Sequence, residues 1–392
     1  MKRLAPVLAI ALAACAGGPA APIDQGGVEE GPGVDGGADL PDGASPTDMA
    51  DGVTTLRVHY PAGTHTLRVR GDTGPLSWQA GAVMSDLADD THEYVLTLPP
   101  SVAQVEWKPL LDDATWSRGP NYVARRGEIV DVYPHFVAQK GSVSKLFVSF
   151  HSALLGNDRP VWVYLPVSYG ENPRATYPVL YMHDGQNLFD PQGPWGGWRV
   201  DEALDAAGES GAIRELIVVG PENTAGRDYE YTPTYDAAEG SSGGGDLYLR
   251  MLVEELKPQV DAMLRTQPGR ATTGVMGSSL GGLISAYAGY KQPGTFGLVG
   301  ALSPSTWWDN EVIVADVKAQ GAARPDRVYV DCGDGDDGLA ETDHLFSAYQ
   351  TIGYTEGTTL KTVVQPGGQH QENYWAMRVP GAMAFLFGKR AP

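Results

Sequence analysis

From residue 53 to about 137 the apolar positions come in short alternating runs: VTTLRVHY (53–60), THTLRVRG (64–71), EYVLTLP (93–99) and AQVEWKPLL (103–111). Gly-Asp, Pro-Pro and Asp-Asp pairs separate them, and a period of two bounded by turn formers predicts half-buried strands. No apolar period of helical length interrupts the series, so residues 51–140 read as a small all-β, immunoglobulin-like sandwich. After Gly141 the texture changes. Compact apolar segments recur at 145–150, 161–166, 177–182, 215–220, 272–277, 298–304, 327–333 and 359–367. Helical candidates stand between or after them at about 198–209, 246–265, 280–290, 339–353 and 371–387. Strands alternating with helices predict a mostly parallel central sheet flanked by helices, occupying residues 141–392.

Composition sharpens this division. The chain has 28 Lys+Arg against 48 Asp+Glu, a formal net charge of −20, so no basic field exists to collect phosphates and a nucleic-acid partner is excluded. Two distant cysteines, Cys15 and Cys332, make neither a disulfide framework nor a thiolate zinc site. At the amino terminus Lys2 and Arg3 precede an apolar run from Leu4 to Ala14, too short for a membrane-spanning helix and suited to a targeting segment. Residues 16–50 contain nine Gly, five Pro, seven Asp or Glu and no Lys or Arg. That segment lacks the apolar surface needed to offset its ordering entropy and reads as a tether.

The strongest chemical signal is Gly277-Ser278-Ser279-Leu280-Gly281-Gly282, which follows the apolar strand TTGVMG and precedes the small-residue helix LISAYAGY. Gly-x-Ser-x-Gly between strand and helix is a nucleophile elbow, with Ser279 as the exposed hydroxyl. A serine needs a base, and the chain order Ser, acid, His leaves His344 and His370 as downstream choices. His344 lies within a helical pattern, whereas His370 follows the last strand on a Gly-rich loop and is the expected base. The acid is expected in Asp334-Gly335-Asp336-Asp337, after the strand RVYVDCG. Asp336 is the first choice, three residues beyond Gly333, with Asp334 and Asp337 as rivals. The acidic cluster matches no register of an EF-hand calcium loop, and neither a metal nor a cofactor is called for.

A tetrahedral oxyanion needs two backbone donors. The Leu280 amide follows the nucleophile, and the Gln186 amide lies in the loop His183-Asp184-Gly185-Gln186-Asn187 after the third strand. His183 precedes Ser279, breaks the chain order and reads as a strand-end structural residue. Asn187, Arg227, Tyr231, Trp307 and Trp308 fall on loops expected to line the cleft. Arg227 has two readings there, holding a substrate oxygen or bracing an acidic loop.

These motifs carry three resemblances. The stretch Leu12-Ala13-Ala14-Cys15 resembles a bacterial lipoprotein signal, which implies lipidation of Cys15 as the first mature residue after a signal at 1–15 and export to the cell envelope. The segments at 67–78, 105–122 and 129–136 resemble starch-binding modules, which makes Trp78, Trp107 and Trp116 a candidate sugar-stacking platform; the alternative is that they fill the sandwich core. Residues 145–388 resemble the Putative esterase family of α/β hydrolases, which includes feruloyl and acetyl xylan esterases, enterobactin esterases, S-formylglutathione hydrolase and the mycolyltransferases. GSSLGG matches its elbow, Gly333 to Asp336 matches its acid motif except at the Thr position, and Gly367-Gly368-Gln369-His370 matches its histidine motif with Gln369 interposed. DGQNLFD (184–190) and GWRVDEAL (197–204) are also characteristic. The resemblance implies serine carboxylic-ester hydrolysis of a carbohydrate-linked or other soluble short-acyl or aromatic ester. The same triad also serves acyl transfer or peptide hydrolysis, and a non-catalytic glycan-binding lipoprotein is the alternative of another class. Oligomeric state is not legible.

Overall fold

The structure, a computed structural model, describes residues 52–193, 196–240 and 243–388. The expectations for Cys15, the signal segment and the tether lie outside the described residues.

Nine strands open the described chain: β1 (Val53–His59), β2 (Leu67–Gly71), β3 (Ala82–Val83), β4 (Ser85–Asp86), β5 (Thr91–Thr97), β6 (Gln104–Leu111), β7 (Thr115–Trp116), β8 (Tyr122–Arg125) and β9 (Ile129–Val132). They form a sheet in the order β4-β5-β1-β9 and another in the order β3-β2-β6-β7, with β8 also on β6. Alternation explains the packing. Leu56 and Val58 on β1, Leu67 and Val69 on β2, and Val105 and Trp107 on β6 all meet in one apolar cluster.

That packing corrects one expectation. Trp107 is completely buried and stacks at a tilt on Tyr122 with centroids 5.3 Å apart, so it belongs to the core and cannot contribute to a sugar platform. Trp116 is exposed, and its ring lies 6.2 Å from that of Trp78, with the Arg70 guanidinium 5.2 Å from the Trp116 centroid. Trp107→Ala should therefore cost about 3–5 kcal/mol in denaturant unfolding, the range for deleting a buried aromatic. Trp116→Ala should cost under about 1 kcal/mol, the scale of an exposed cation–π contact.

The remaining strands form one eight-stranded sheet: β10 (Ser142–Ser152), β11 (Asn157–Leu165), β12 (Val179–Met182), β13 (Ile217–Pro221), β14 (Thr273–Ser279), β15 (Leu298–Pro304), β16 (Arg327–Gly333) and β17 (Leu360–Gln365), in the order β10-β11-β13-β12-β14-β15-β16-β17. The pairings β10–β11 and β11–β13 are antiparallel, and all later ones are parallel. The central parallel strands β12, β14 and β15 are buried on both faces, as a doubly covered sheet requires. Along β12, Val179 and Tyr181 enter one apolar cluster while Leu180 and Met182 enter the other.

Helices α1 (Val200–Ser210) and α8 (Glu372–Phe387) cover one face, through Val200, Leu204, Trp375, Val379 and Met383. Helices α3 (Gly245–Arg250), α4 (Lys257–Met263), α5 (Leu280–Lys291), α6 (Trp308–Lys318) and α7 (Leu339–Thr351) cover the other, and a short α2 spans Arg227–Glu230. Two of these differ from expectation. The single helix expected at 246–265 is α3 and α4 joined by a π-helical turn, Met251–Leu256. Pro258 follows that turn, lacks an amide proton and crowds the carbonyl four residues back. Helix α6 is not apparent in the pattern because its apolar residues Val312, Ile313, Val314 and Val317 are β-branched, and Asp309, Asn310 and Glu311 at its start are left-handed.

The two sheet systems meet at a turn after β11. Glu171 accepts hydrogen bonds from Tyr60 Oη at 2.9 Å, the Phe136 amide at 2.7 Å and the Val137 amide at 3.0 Å. Asn172, fully buried, donates to the carbonyls of His59 and Pro134, each at 2.9 Å. Among the described residues no helix is long and apolar enough to cross a membrane.

Candidate active site

Strand β14 ends at Ser279 and α5 begins at Leu280, leaving no residues for a loop. The turn is made inside Ser279, whose φ of 59° and ψ of −125° lie in a region that side chains other than glycine rarely enter. Gly277 makes this possible: a Cβ there would stand 2.8 Å from the Gly281 backbone. Ser279 Oγ lies 3.4 Å from Ser305 Oγ beside the first turn of α5, where unpaired amides favour negative charge. Ser278 is buried in the strand.

His370 sits on the loop between β17 and α8. Its Nδ1 is 2.7 Å from Asp337 Oδ1, and its ring meets Trp375 edge-on at 5.0 Å. Here the expected acid is corrected. Asp336 is exposed with a φ of 71°, and this left-handed residue turns the chain so that the next side chain, Asp337, enters the protein. Asp337 is 4% exposed, and its Oδ2 accepts from the Gly333 amide at 2.6 Å and from Ser303 Oγ at 2.6 Å. Burial pushes the Asp337 carboxyl up, but the bonds from His370, Ser303 and Gly333 outweigh it and hold the group below its ordinary value.

Asp334 has a different task. It accepts from the Gly367 amide at 2.6 Å, while the Gly335 amide donates to the Gly368 carbonyl at 2.8 Å. The acid and histidine loops are thereby stitched together. The fit needs Gly333, because a Cβ there would lie 2.1 Å from the Gly368 oxygen.

The loop after β12 carries Gln186 in a 3-10 turn, Gly185–Asn187, at the same carboxyl edge of the sheet. Asp184 enters this turn left-handed, at a φ of 58°. Arg227 fixes it with two bonds to its carboxylate, 2.8 and 2.9 Å, Asn223 Nδ2 adds a third at 2.6 Å, and the Asp184 amide donates to Tyr231 Oη at 3.2 Å. Burial alone would lower the Arg227 pKa, and Asp184 more than reverses that, so the guanidinium stays charged. Of its two readings, Arg227 has the bracing one in this structure. The Gln186 side chain accepts from the Asn223 amide at 3.2 Å. Asn187 is buried, and its Oδ1 has no hydrogen-bond partner among the described residues.

Two cleft assignments are corrected. Tyr231 is fully buried, its ring against His183 and Tyr248 and its hydroxyl oxygen accepting from the Asp184 amide. Trp308 is 2% exposed, with Nε1 donating to the Thr234 carbonyl at 3.1 Å. Its neighbour Trp307 is 44% exposed and remains available to a ligand.

The family model described as Putative esterase matches residues 152–386, more than half of the chain. The chain belongs to the Putative esterase family. This esterase is 31% identical over 270 residues to the uncharacterized protein YbbA of Bacillus subtilis, covering 64% of the present chain and 98% of that one. It is 29% identical over 177 residues to the siderophore triacetylfusarinine C esterase of Aspergillus fumigatus, covering 42% and 59% respectively. Over 192 residues it is 29% identical to an endo-1,4-beta-xylanase/feruloyl esterase of Xylanibacter ruminicola, of whose length it spans only 24%. Among solved structures, the enterobactin esterase of Shigella flexneri, in the presence of enterobactin, superposes with a TM-score of 0.51 at 18% identity, covering 85% of this chain and 92% of that chain. That likeness is one of fold.

The remaining reactive side chains of this esterase are accounted for locally. Burial lowers the His183 pKa to about 3, so its imidazole is neutral, with Nδ1 2.9 Å from Tyr248 Oη. His344 is exposed and pairs with Glu311 at 2.8 Å. Burial pushes the Cys332 thiol up to about 12, which keeps it protonated and unreactive. Among the described residues no group of three or more His, Cys, Asp or Glu could hold a metal ion.

Proposed function

We propose that this ester hydrolase is a serine enzyme that works through an acyl-enzyme on a soluble or carbohydrate-linked ester with a short or aromatic acyl group. The carrying observation is the strained Ser279 elbow on the same sheet edge as the His370–Asp337 pair. Asp337 holds Nδ1 of the imidazole, which leaves Nε2 to take the Ser279 proton as the hydroxyl attacks the ester carbonyl. The Leu280 and Gln186 amides receive the oxyanion. His370 then returns the proton to the departing alcohol, and a water activated by the same imidazole releases the acid and restores Ser279. The exposed Trp307 supports an aromatic or sugar-sized group at the cleft mouth. The names of the siderophore and feruloyl esterase relatives agree with an ester of that size.

The leader sequence supports export and lipid attachment at Cys15, and Trp78 with Trp116 are the remaining candidates for glycan contact on the N-terminal sheets. The decisive test of the chemistry is covalent. A fluorophosphonate should inactivate the enzyme with one equivalent bound, and peptide mass mapping should place the adduct on Ser279. Labelling elsewhere, or none with turnover intact, removes the serine mechanism. Comparing acetyl, feruloyl and glucuronoyl sugar esters with matched amides then assigns the substrate and separates esterase from peptidase action.

A further inference from the structure

Behind the Asp337–His370 pair lies a second layer of polar groups that an ester hydrolase core does not require for packing. Ser303, at the end of β15, is fully buried with a φ of 37°. Its Oγ receives two hydrogen bonds, from Arg378 Nη2 at 2.6 Å and Trp375 Nε1 at 2.9 Å, and passes its own proton to Asp337 Oδ2 at 2.6 Å. With both lone pairs occupied, the Ser303 hydroxyl has one direction left for its proton.

Arg378, on α8 and 5% exposed, also donates to Gln365 Oε1 at 3.1 Å and stands 3.4 Å from Asp337 Oδ2. Its Nε makes an ion contact of 3.1 Å with Asp331 Oδ1 on β16. Asp331 is completely buried, accepts from the Ser303 amide at 3.2 Å, and leaves Oδ2 without a hydrogen-bond partner among the described residues. One guanidinium therefore stands between two buried carboxyls, only one of which touches the histidine.

We propose that Ser303, Arg378 and Asp331 are positioning residues that lock Asp337 Oδ2, leave Oδ1 for His370, and set the charge that the imidazole feels. The inference rests on the serine-esterase reading of the same site. The groups facing this layer are Tyr329 and Cys332 on β16 and Asp337 on its loop, with His370 reached through Asp337 and Glu372, at the start of α8, acting on His370 rather than on the layer. Glu372 in turn feels His370, Asp184 and Arg227. Burial raises the Asp331 carboxyl to about 7, against the pull of Arg378. It therefore changes charge in the range where His370 must be neutral to act as a base.

The signs are opposite for the two charged members. Removing the Arg378 charge leaves two buried carboxyls beneath the imidazole and favours its protonated form. Removing the Asp331 charge leaves Arg378 less compensated and disfavours that form. In pH profiles of kcat/KM with a nitrophenyl ester, Arg378→Met should move the acid limb up by about one pH unit, and Asp331→Asn should move it down by a similar amount, the scale of one nearby charge. Ser303→Ala should lower kcat roughly 10- to 100-fold with little change in KM, the loss expected of a misplaced catalytic group. Arg378→Lys keeps the charge but not the fork, so it should lower kcat and leave the limb in place. If Arg378→Met does not fold, the direction of the Asp331→Asn shift decides alone. Activity losses without a shift, or shifts of the same sign, overturn the positioning layer. Full activity of Ser279→Ala would instead overturn the reading on which it rests.

Discussion

Ser279→Ala is expected to lower kcat for a nitrophenyl ester by on the order of 10,000-fold or more, the scale reported by removal of a serine nucleophile that acts as a unit with its base. The fold should survive. The substitution removes one oxygen that, among the described residues, makes a 3.4 Å approach to Ser305 Oγ, and alanine brings no larger side chain to the positive φ. Circular dichroism and the unfolding midpoint should match the parent, and KM should change little, because binding depends on the cleft and the oxyanion amides. Loss of activity together with loss of fold would leave the nucleophile unproved. Retained activity would refute it.

The second large effect discriminates two adjacent carboxylates. Asp337→Asn should reduce kcat about 10,000-fold, because an amide at the Oδ1 position stabilises the wrong histidine tautomer. Asp336→Asn should stay within about threefold, since an exposed side chain on the far side of the turn changes only a screened charge. Equal losses, or a larger loss at Asp336, would reverse the assignment. Asp337 also has a stability signature. Its folded pKa is held below the ordinary value, so its contribution is present above the unfolded-state pKa and is lost as pH falls through the lower folded one. Acid unfolding of Asp337→Asn should therefore be less steep in that acidic window.

The features readable from the linear chain were those with a local signature. Eight apolar segments mark the eight-stranded sheet, and Gly-x-Ser-x-Gly marks the turn at Ser279, because each depends on neighbours in sequence. Asp336 and Asp337 cannot be separated that way. The choice is made by the left-handed backbone of Asp336 and by the contact of Gly333 and Gly335 with Gly368, some thirty-five residues away. Trp307 and Trp308 are similarly adjacent, yet one is exposed while the other's indole reaches the Thr234 carbonyl. Trp107 and Trp116 look alike until β6 and β7 pair. The Ser303 layer carries no motif; its traces are an arginine eight residues beyond His370 in an otherwise apolar helical stretch and the lone carboxyl of Asp331 inside the apolar strand β16.

The turn at Glu171 and Asn172 bears on how this chain can diverge. Four of its five bonds to the N-terminal strands end on main-chain atoms: the amides of Phe136 and Val137 and the carbonyls of His59 and Pro134. Such a latch recognises backbone position rather than side-chain identity. The residues it grips are free to change without releasing it, whereas Glu171 and Asn172 are not. The outer surface of the N-terminal strands can therefore drift toward new ligands, or lose old ones, while their seat on the esterase is inherited unchanged.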